Sequence, residues 1–393
     1  MGIIIPKTQF QSCLQFSVCS FRLWLEAAFR APRQVNLFAP NKFGDLQLCR
    51  ISSFDIPCSI FAIPARLPVG ARIAILLAMT TTVPMRVSVA VITANRSDFL
   101  IACLRSLQAG TYPLHEILVY DNGSTDATAA RLAAEFPAAR HIRHQRNMGL
   151  SYCHNRAMHE FSGDCVFLVD DDNEAAPDML EQIMRHMYAA GHERIGIVGP
   201  VIMDFYAKEN VVLTGGATSL WTGRNLLNTK RLADAPAIMP SLRAPNSTLI
   251  RREVIDEVGY MDEQLFSTSA DEDYIRRMAA RGWRCEFVRA AVIYHKAKPS
   301  DTYARQVGLT NPARAYILAR NRTVLIRRYS RWYQLTAFLC VWQWLWHAFY
   351  LYVLVWRSPD LRMRRAYLHG IRDAWHYCVS RELPPLDAVL ALL

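Results

Sequence analysis

Asp170, Asp171, Asp172 and Asn173 close the apolar run Cys165-Val166-Phe167-Leu168-Val169. Three consecutive carboxylates repel one another unless a cation joins them. Asp170 and Asp172, two positions apart, can both turn toward one hard divalent ion that completes its shell with substrate phosphate and water. The same residues suit a capped turn, since Asp and Asn favour helix starts and Pro177 follows. A second acidic group, Asp271-Glu272-Asp273, precedes Arg276, Arg277 and Gly282. Asp273 and Arg277 are spaced to pair across one helical turn. Asp271, read as lying just ahead of that helix, suits either proton abstraction from a hydroxyl or an N-cap. His295 can offer a neutral imidazole to a metal or remain an ordinary half-buried histidine. Asp121 opens the turn Asp121-Asn122-Gly123-Ser124 and fits the donor edge of a base or an Asx turn. Arg96, Arg146 and Asn147 stand near loop mouths where a diphosphate would be met.

These residues need elements to hold them, and from Met85 onward the sequence alternates strand and helix. Val87 to Thr93 is a β-branched strand, followed by a helix capped by Ser97 or Asp98 and stopped near Gly110. Glu116–Tyr120 predicts a second strand and Asp126 to about Phe136 a helix. Ser151–Phe161 predicts another helix, leading into the strand that ends at the Asp cluster, with Pro177 opening the next helix. Such alternation predicts an α/β fold with a mostly parallel sheet and ligands at the carboxyl ends of the strands. The stretch from Thr214 to Asn228 reads as loops over a site. Helices at Arg252–Val258 and Asp273–Arg281 and strands at Cys285–Val288 and Val292–Tyr294 then deliver His295.

Composition narrows the class. Of 393 residues, 52% are hydrophobic and 20% charged, which excludes a disordered solvating chain. Lys and Arg number 45 against 34 Asp and Glu, a formal +11, which favours anionic partners. The basic residues gather around an apolar tail instead of interleaving with a stacking surface, so nucleic acid is not expected as a partner. The ten cysteines form no C-x-x-C pair and read as reduced, buried thiols.

Residues 1–84 lack a sustained period and read as an extension of unassigned fold, disordered or arising from a start placed too early. At the other end, Trp332–Trp356 carries no Lys, Arg, Asp or Glu and is rich in aromatics, with arginines on both flanks. As a helix it is long enough to span a bilayer, and it equally suits a segment embedded in one anionic leaflet or one packed against the globular domain.

The order of the motifs is more specific than any one of them. Val89 to Arg96, Asp121 to Asp126, Asn147-Met148-Gly149-Leu150 with Asn155, Asp170 to Asn173 with Pro177, Gly259 to Glu263, Asp271 to Asp273 with Arg277 and Gly282, and Tyr294-His295 together resemble the family 2 glycosyltransferases, bacterial rhamnosyltransferase-like members above all. The tail's Tyr316, Arg320-Asn321 and Arg327-Arg328-Tyr329 resemble the membrane-associated end of such enzymes. The resemblance implies a GT-A domain over 85–300 and a basic, aromatic, membrane-associated tail over 301–393. It also implies an inverting, hexosyl-type transfer from a nucleotide-sugar donor to a glycan or lipid-linked acceptor in cell-surface polysaccharide synthesis, at the cytoplasmic membrane face, either peripheral or anchored by residues 332–356. It assigns donor binding to Thr93, Asn95, Arg96, Asp121, Asn147, Gly149, Asp170 and Asp171, and a divalent cation, Mg2+ or Mn2+, to Asp170, Asp172 and His295. Asp271 becomes the general base. One departure is that Ala270 stands where the family carries a carboxylate, so a catalytically silent nucleotide- or glycan-binding scaffold at the membrane is the competing expectation.

Overall fold

The structure is a computed structural model that describes residues 85–227, 231–244, 247–296, 307–357, 360–385 and 391. The extension over 1–84 and the domain boundary at 300 lie outside the described residues. In chain order the first elements are β1 (Val87–Thr93), α1 (Ser97–Gln108), β2 (Leu114–Asp121), α2 (Thr128–Glu135), β3 (Arg140–Arg143), α3 (Leu150–Glu160), β4 (Cys165–Asp170), β5 (Asn173–Ala175) and α4 (Met179–Met187). There follow β6 (Ile195–Asp204), β7 (Val211–Leu213), the paired β8 (Gly216–Thr218) and β9 (Asn225–Leu227), β10 (Ile238–Pro240), β11 (Ser247–Arg251), α5 (Arg252–Val258), α6 (Ala270–Ala279) and β12 (Arg284–His295). The tail is α7 (Pro312–Tyr329), α8 (Trp332–Ala337), a π-helical turn at Phe338–Trp342, α9 (Gln343–Trp356) and α10 (Leu361–Ser380).

The main sheet runs β10-β12-β6-β11-β4-β1-β2-β3, with β5 on β12 and β7 on β6. The expected parallel run is present where β2 pairs with β1 and β3, and β1 with β4. The rest of the sheet corrects the expectation, because β11 lies antiparallel between β4 and β6 and makes the sheet mixed. Strand β1 is buried along its whole length, as a central strand covered on both faces must be. Helix α1 turns Leu100, Ile101, Cys103, Leu104 and Leu107 to the core. Helix α2 starts at Thr128 because the Asp126 carboxylate accepts the Thr128 amide at 3.1 Å. Helix α4 begins after Asp178, not at Pro177. Cys103, Cys153, Cys165 and Cys285 are buried free thiols, as read from their apolar neighbours, but the tail corrects that reading, since Cys340 is exposed and Cys378 half-buried on helices that pack by one side only.

The tail is stitched to the loop ahead of α6. Arg320 on α7, 0% exposed, donates to the Gln264 carbonyl, and Asn321 donates to the Leu265 and Thr268 carbonyls at 2.8 and 2.7 Å. Those bonds hold a loop in which Phe266 (φ 64°) and Ser269 (φ 70°) adopt left-handed backbone, costly for residues with a Cβ. Arg328 adds ion pairs to Asp262 and Asp273 at 2.6 and 2.8 Å.

Candidate active site

Three neighbouring strands end level with one another. Thr93 of β1 pairs in register with Asp121 of β2, and Ile92 with Asp170 of β4. The next residues therefore cluster at one edge. The Thr93 hydroxyl donates to Asp171 at 2.7 Å, and Arg96 reaches both Asp171 and Asp172, at 3.2 and 2.8 Å. Strand β5 pairs antiparallel with the end of β12, setting His295 opposite Asn173 and bringing its Nε2 to 3.5 Å from Asp172.

The electrostatics of the cluster follow from burial and neighbours. Burial, then the charges of Asp172 and Asp171, push the Asp170 carboxyl well above the usual carboxylate range. Burial pushes Asp171 up to about 6 against the opposing bonds from Thr93 and Arg96. Asp172 is also desolvated, yet His295 and Arg96 hold it below its ordinary value. Three polar atoms here are buried without a hydrogen-bond partner, Asp170 Oδ1, Asn173 Oδ1 and His295 Nδ1.

Asp172 and His295 therefore meet as a pair that a borderline-hard divalent cation would accept, while Asp170, two residues earlier at the end of β4, keeps an unsatisfied oxygen. Among the described residues no three His, Cys, Asp or Glu side chains already form a metal cage. Such ions commonly complete their shells with substrate oxygens and water, so the donor set fits a cation that arrives with a diphosphate.

The Asx-turn alternative at Asp121 is realised. Its fully buried carboxylate accepts the Ser124 amide at 2.7 Å and faces His141 and Arg143 at 3.3 and 3.8 Å. Asn95, at φ 55°, accepts the Thr125 amide at 2.7 Å and ties the β1 and β2 loops together. Asn147 accepts from Asn122 and from the Gly149 amide, both at 2.9 Å. Gly149 has φ 90°, and a Cβ there would meet the Phe266 ring at 2.5 Å. The β2 turn, the α3 entrance and the loop before α6 are thus mutually packed.

Asp271 lies inside the first turn of α6, not ahead of it, because Ser269 takes the cap position. Its Oδ2 accepts the Ala244 amide at 3.1 Å, and desolvation raises its carboxyl above the usual range against the pull of Arg243. The described residues include no hydrogen bond or ion pair between Asp271 and the Asp170–Asp172 cluster. The Asp273–Arg277 pair expected from spacing forms at 3.0 Å. Ala270 is buried with Leu265, Val324 and Tyr377, so the position lacking a carboxylate faces the tail helices.

Sequence reasoning missed Glu272, which is 1% exposed. It accepts from the Thr218 amide and hydroxyl at 3.0 and 2.6 Å and pairs with Arg276 at 2.7 Å, with Arg243 at 3.6 Å. Its i,i+4 spacing to Arg276 was the only local signal.

Residues 88–259 match the family described as Glycosyl transferase family 2. This stretch is a family 2 glycosyltransferase domain. YwdF, an uncharacterized glycosyltransferase of Bacillus subtilis (strain 168), is 26% identical over 231 residues, covering 57% of this chain and 79% of the relative. The N-acetylglucosaminyl-diphospho-decaprenol L-rhamnosyltransferase of Mycobacterium tuberculosis (strain ATCC 25618 / H37Rv) is 27% identical over 246 residues, 56% of this chain and 78% of that protein. Among solved structures, mannosyltransferase PcManGT from Pyrobaculum calidifontis, in complex with GDP-Man and Mn2+, aligns with a TM-score of 0.45 and 20% identity over 79% of each chain. The glycosyltransferase match covers the Asp170–Asp172 cluster and stops short of Asp271 and His295.

Proposed function

We propose that the chain is a membrane-associated inverting glycosyltransferase with a GT-A domain. In this reading it moves a hexose-type sugar, rhamnose being the class suggested by the mycobacterial relative, from a nucleotide-diphosphate donor to a glycan or lipid-linked acceptor at the cytoplasmic membrane face. The observation that carries the reading is the cluster at the ends of β1, β4 and β12, where Thr93, Arg96, Asp171, Asp172 and His295 converge beside three unpartnered buried polar atoms.

Asp172 and His295 would hold a divalent cation, and when bound the cation supplies neutralising charge on the leaving diphosphate. Arg96 and Thr93 fix the carboxylates of the cluster, and Arg96 adds positive charge on the donor side. The turns at Asn95 and Asp121, packed against Asn147 and Gly149, shape the rest of the donor pocket. Asp271 accepts the proton of the attacking hydroxyl; its desolvated, raised carboxyl is a stronger base than an exposed aspartate.

The test is a thermal-shift panel on detergent-purified chain with UDP, GDP, dTDP and CDP, each with and without Mn2+. A metal-dependent shift for one nucleotide, lost in Asp172→Asn, is expected. At about 100 times its dissociation constant a ligand adds roughly 2.7 kcal/mol to the folded state. Asp271→Asn keeps that shift and lowers transfer by about 100-fold or more. A folded chain that answers to no nucleotide would favour the silent scaffold, and full transfer by Asp271→Asn would remove the base from the mechanism.

A further inference from the structure

Helix α9 and the turn before it are built inside out. At about 100° per residue, Trp342, Trp344, Leu345, Tyr352, Val355 and Trp356 share one exposed side. The opposite side buries Gln343, His347, Tyr350, Val353 and Leu354. Of the buried polar groups, His347 is tied to both neighbours, its Nδ1 3.0 Å from the Tyr367 hydroxyl of α10 and its Nε2 3.3 Å from Gln343 one turn earlier, while Gln343 Oε1 is buried without a partner. Apolar residues have been placed where a soluble helix keeps its charges.

The stretch Trp332–Trp356 is long and apolar enough to cross a bilayer. Its surroundings argue for a different placement. Trp346, near the midpoint, donates its indole N–H to the Thr222 carbonyl at 2.7 Å, and Arg322 of α7 stacks over its ring at 4.0 Å. Crossing the membrane would carry an arginine and the turn of the β8–β9 hairpin to the hydrocarbon centre, where lipid-exposed irregular backbone does not occur and a charge is strongly disfavoured. At its carboxyl end, the carbonyls of Leu354 and Val355 accept from Arg364 of α10 at 2.8 and 3.0 Å. Helix α10 also exposes Arg362, Arg365 and Arg372, which cannot follow α9 through lipid.

The hairpin itself contributes to the exposed face. Trp221 at its tip is 49% exposed and lies 5.5 Å from the Tyr333 ring, which in turn meets Trp332, 79% exposed. Gly223 lets the hairpin settle this close, since a Cβ there would meet Arg322 at 2.7 Å and Phe338 at 2.9 Å. Residues 302–359 contain no Asp or Glu, and Arg331 and Arg357 bracket the apolar surface. A positive rim around an aromatic face is complementary to anionic headgroups over acyl chains.

We propose that this face of α8 and α9, together with Trp221 at the hairpin tip, docks on one leaflet of an anionic bilayer, with α9 lying in the leaflet plane and not crossing it. This deepens the membrane association of the proposed function and rests on it. The geometry also connects the lipid surface to the catalytic helix, because the docked hairpin is the one whose Thr218 is held by Glu272, next to Asp271.

The test uses the full chain with vesicles of phosphatidylcholine alone or mixed with phosphatidylglycerol. Co-sedimentation with the mixed vesicles, weakened by salt, is expected. Tryptophan emission should be quenched more by lipids brominated near the headgroup than by lipids brominated near the acyl terminus. Trp221→Ser should lower the partition coefficient roughly five-fold, the loss expected for a half-buried indole, and Trp344→Ser should do the same from the helix. Absence of sedimentation overturns the membrane reading and this proposal with it. Sedimentation with stronger quenching at the acyl terminus leaves membrane association standing and overturns the in-plane placement. Unchanged partition of Trp221→Ser removes the hairpin from the surface.

Discussion

Replacing Glu272 with Gln tests whether the hairpin is held to the catalytic helix as the hydrogen bonds indicate. The substitution keeps the size of the side chain and leaves an oxygen for the Thr218 amide, but it withdraws the charge that faces Arg276 at 2.7 Å and Arg243 at 3.6 Å. Breaking a buried ion pair on one side costs about 3 kcal/mol, because the remaining guanidinium stays desolvated. Thr218→Val removes only the hydroxyl that donates to Oε2 at 2.6 Å and should cost about 1.5 kcal/mol. Since the two side chains touch, the losses should not add. Urea unfolding of wild type, both single variants and the double variant should give a coupling energy of about 1 kcal/mol. A coupling below roughly 0.3 kcal/mol, the level of independent sites, would show that the hairpin rests on α6 without being tied to it.

Two further outcomes follow from buried groups. His154 on α3 is desolvated and its imidazole pKa falls to about 4, below the ordinary 6.5. A histidine depressed in the folded state contributes stability above its unfolded pKa and loses it as pH falls toward the folded value. The chain should therefore lose roughly 2 kcal/mol between pH 7 and pH 5 from this residue alone, a loss that urea titrations should find missing in His154→Leu. Gly370→Ala would place a Cβ 2.4 Å from the Tyr316 carbonyl oxygen and 2.8 Å from the Ala319 Cβ. The gain in helix propensity, about 1 kcal/mol, is smaller than the roughly 2 kcal/mol cost of forcing α7 and α10 apart, so a lower urea midpoint is expected and a higher one would contradict the packing.

The parts of the fold that could be read in the chain were those whose signals are local. The β1-α1-β2 run shows its alternation within a few dozen residues, and the Asp170–Asp172 cluster sits where an apolar strand stops. Strand β11 escaped because nothing in Ser247–Arg251 says which way it will run; its direction is set by pairing with β4 and β6. Asp271 was read as lying outside the helix because Ser269, the residue that begins it, has no side-chain cap bond and adopts a left-handed conformation stabilised from the tail. Glu272 and Arg320 look in sequence like surface charges. Their burial is decided by partners 54 and 56 residues away. The aromatic tail could be recognised by composition, but which side faced outward depended on the bundle it packs against.

That inverted helix changes how solubility and folding relate in this chain. In most globular proteins the unfolded form is the adhesive one, and conditions that favour the native state suppress aggregation. Here folding assembles the tryptophan face, so correctly folded molecules should associate most readily in plain buffer. Mild detergent should disperse them without lowering their unfolding temperature, and a preparation that stays monodisperse without detergent should be checked for an unfolded tail.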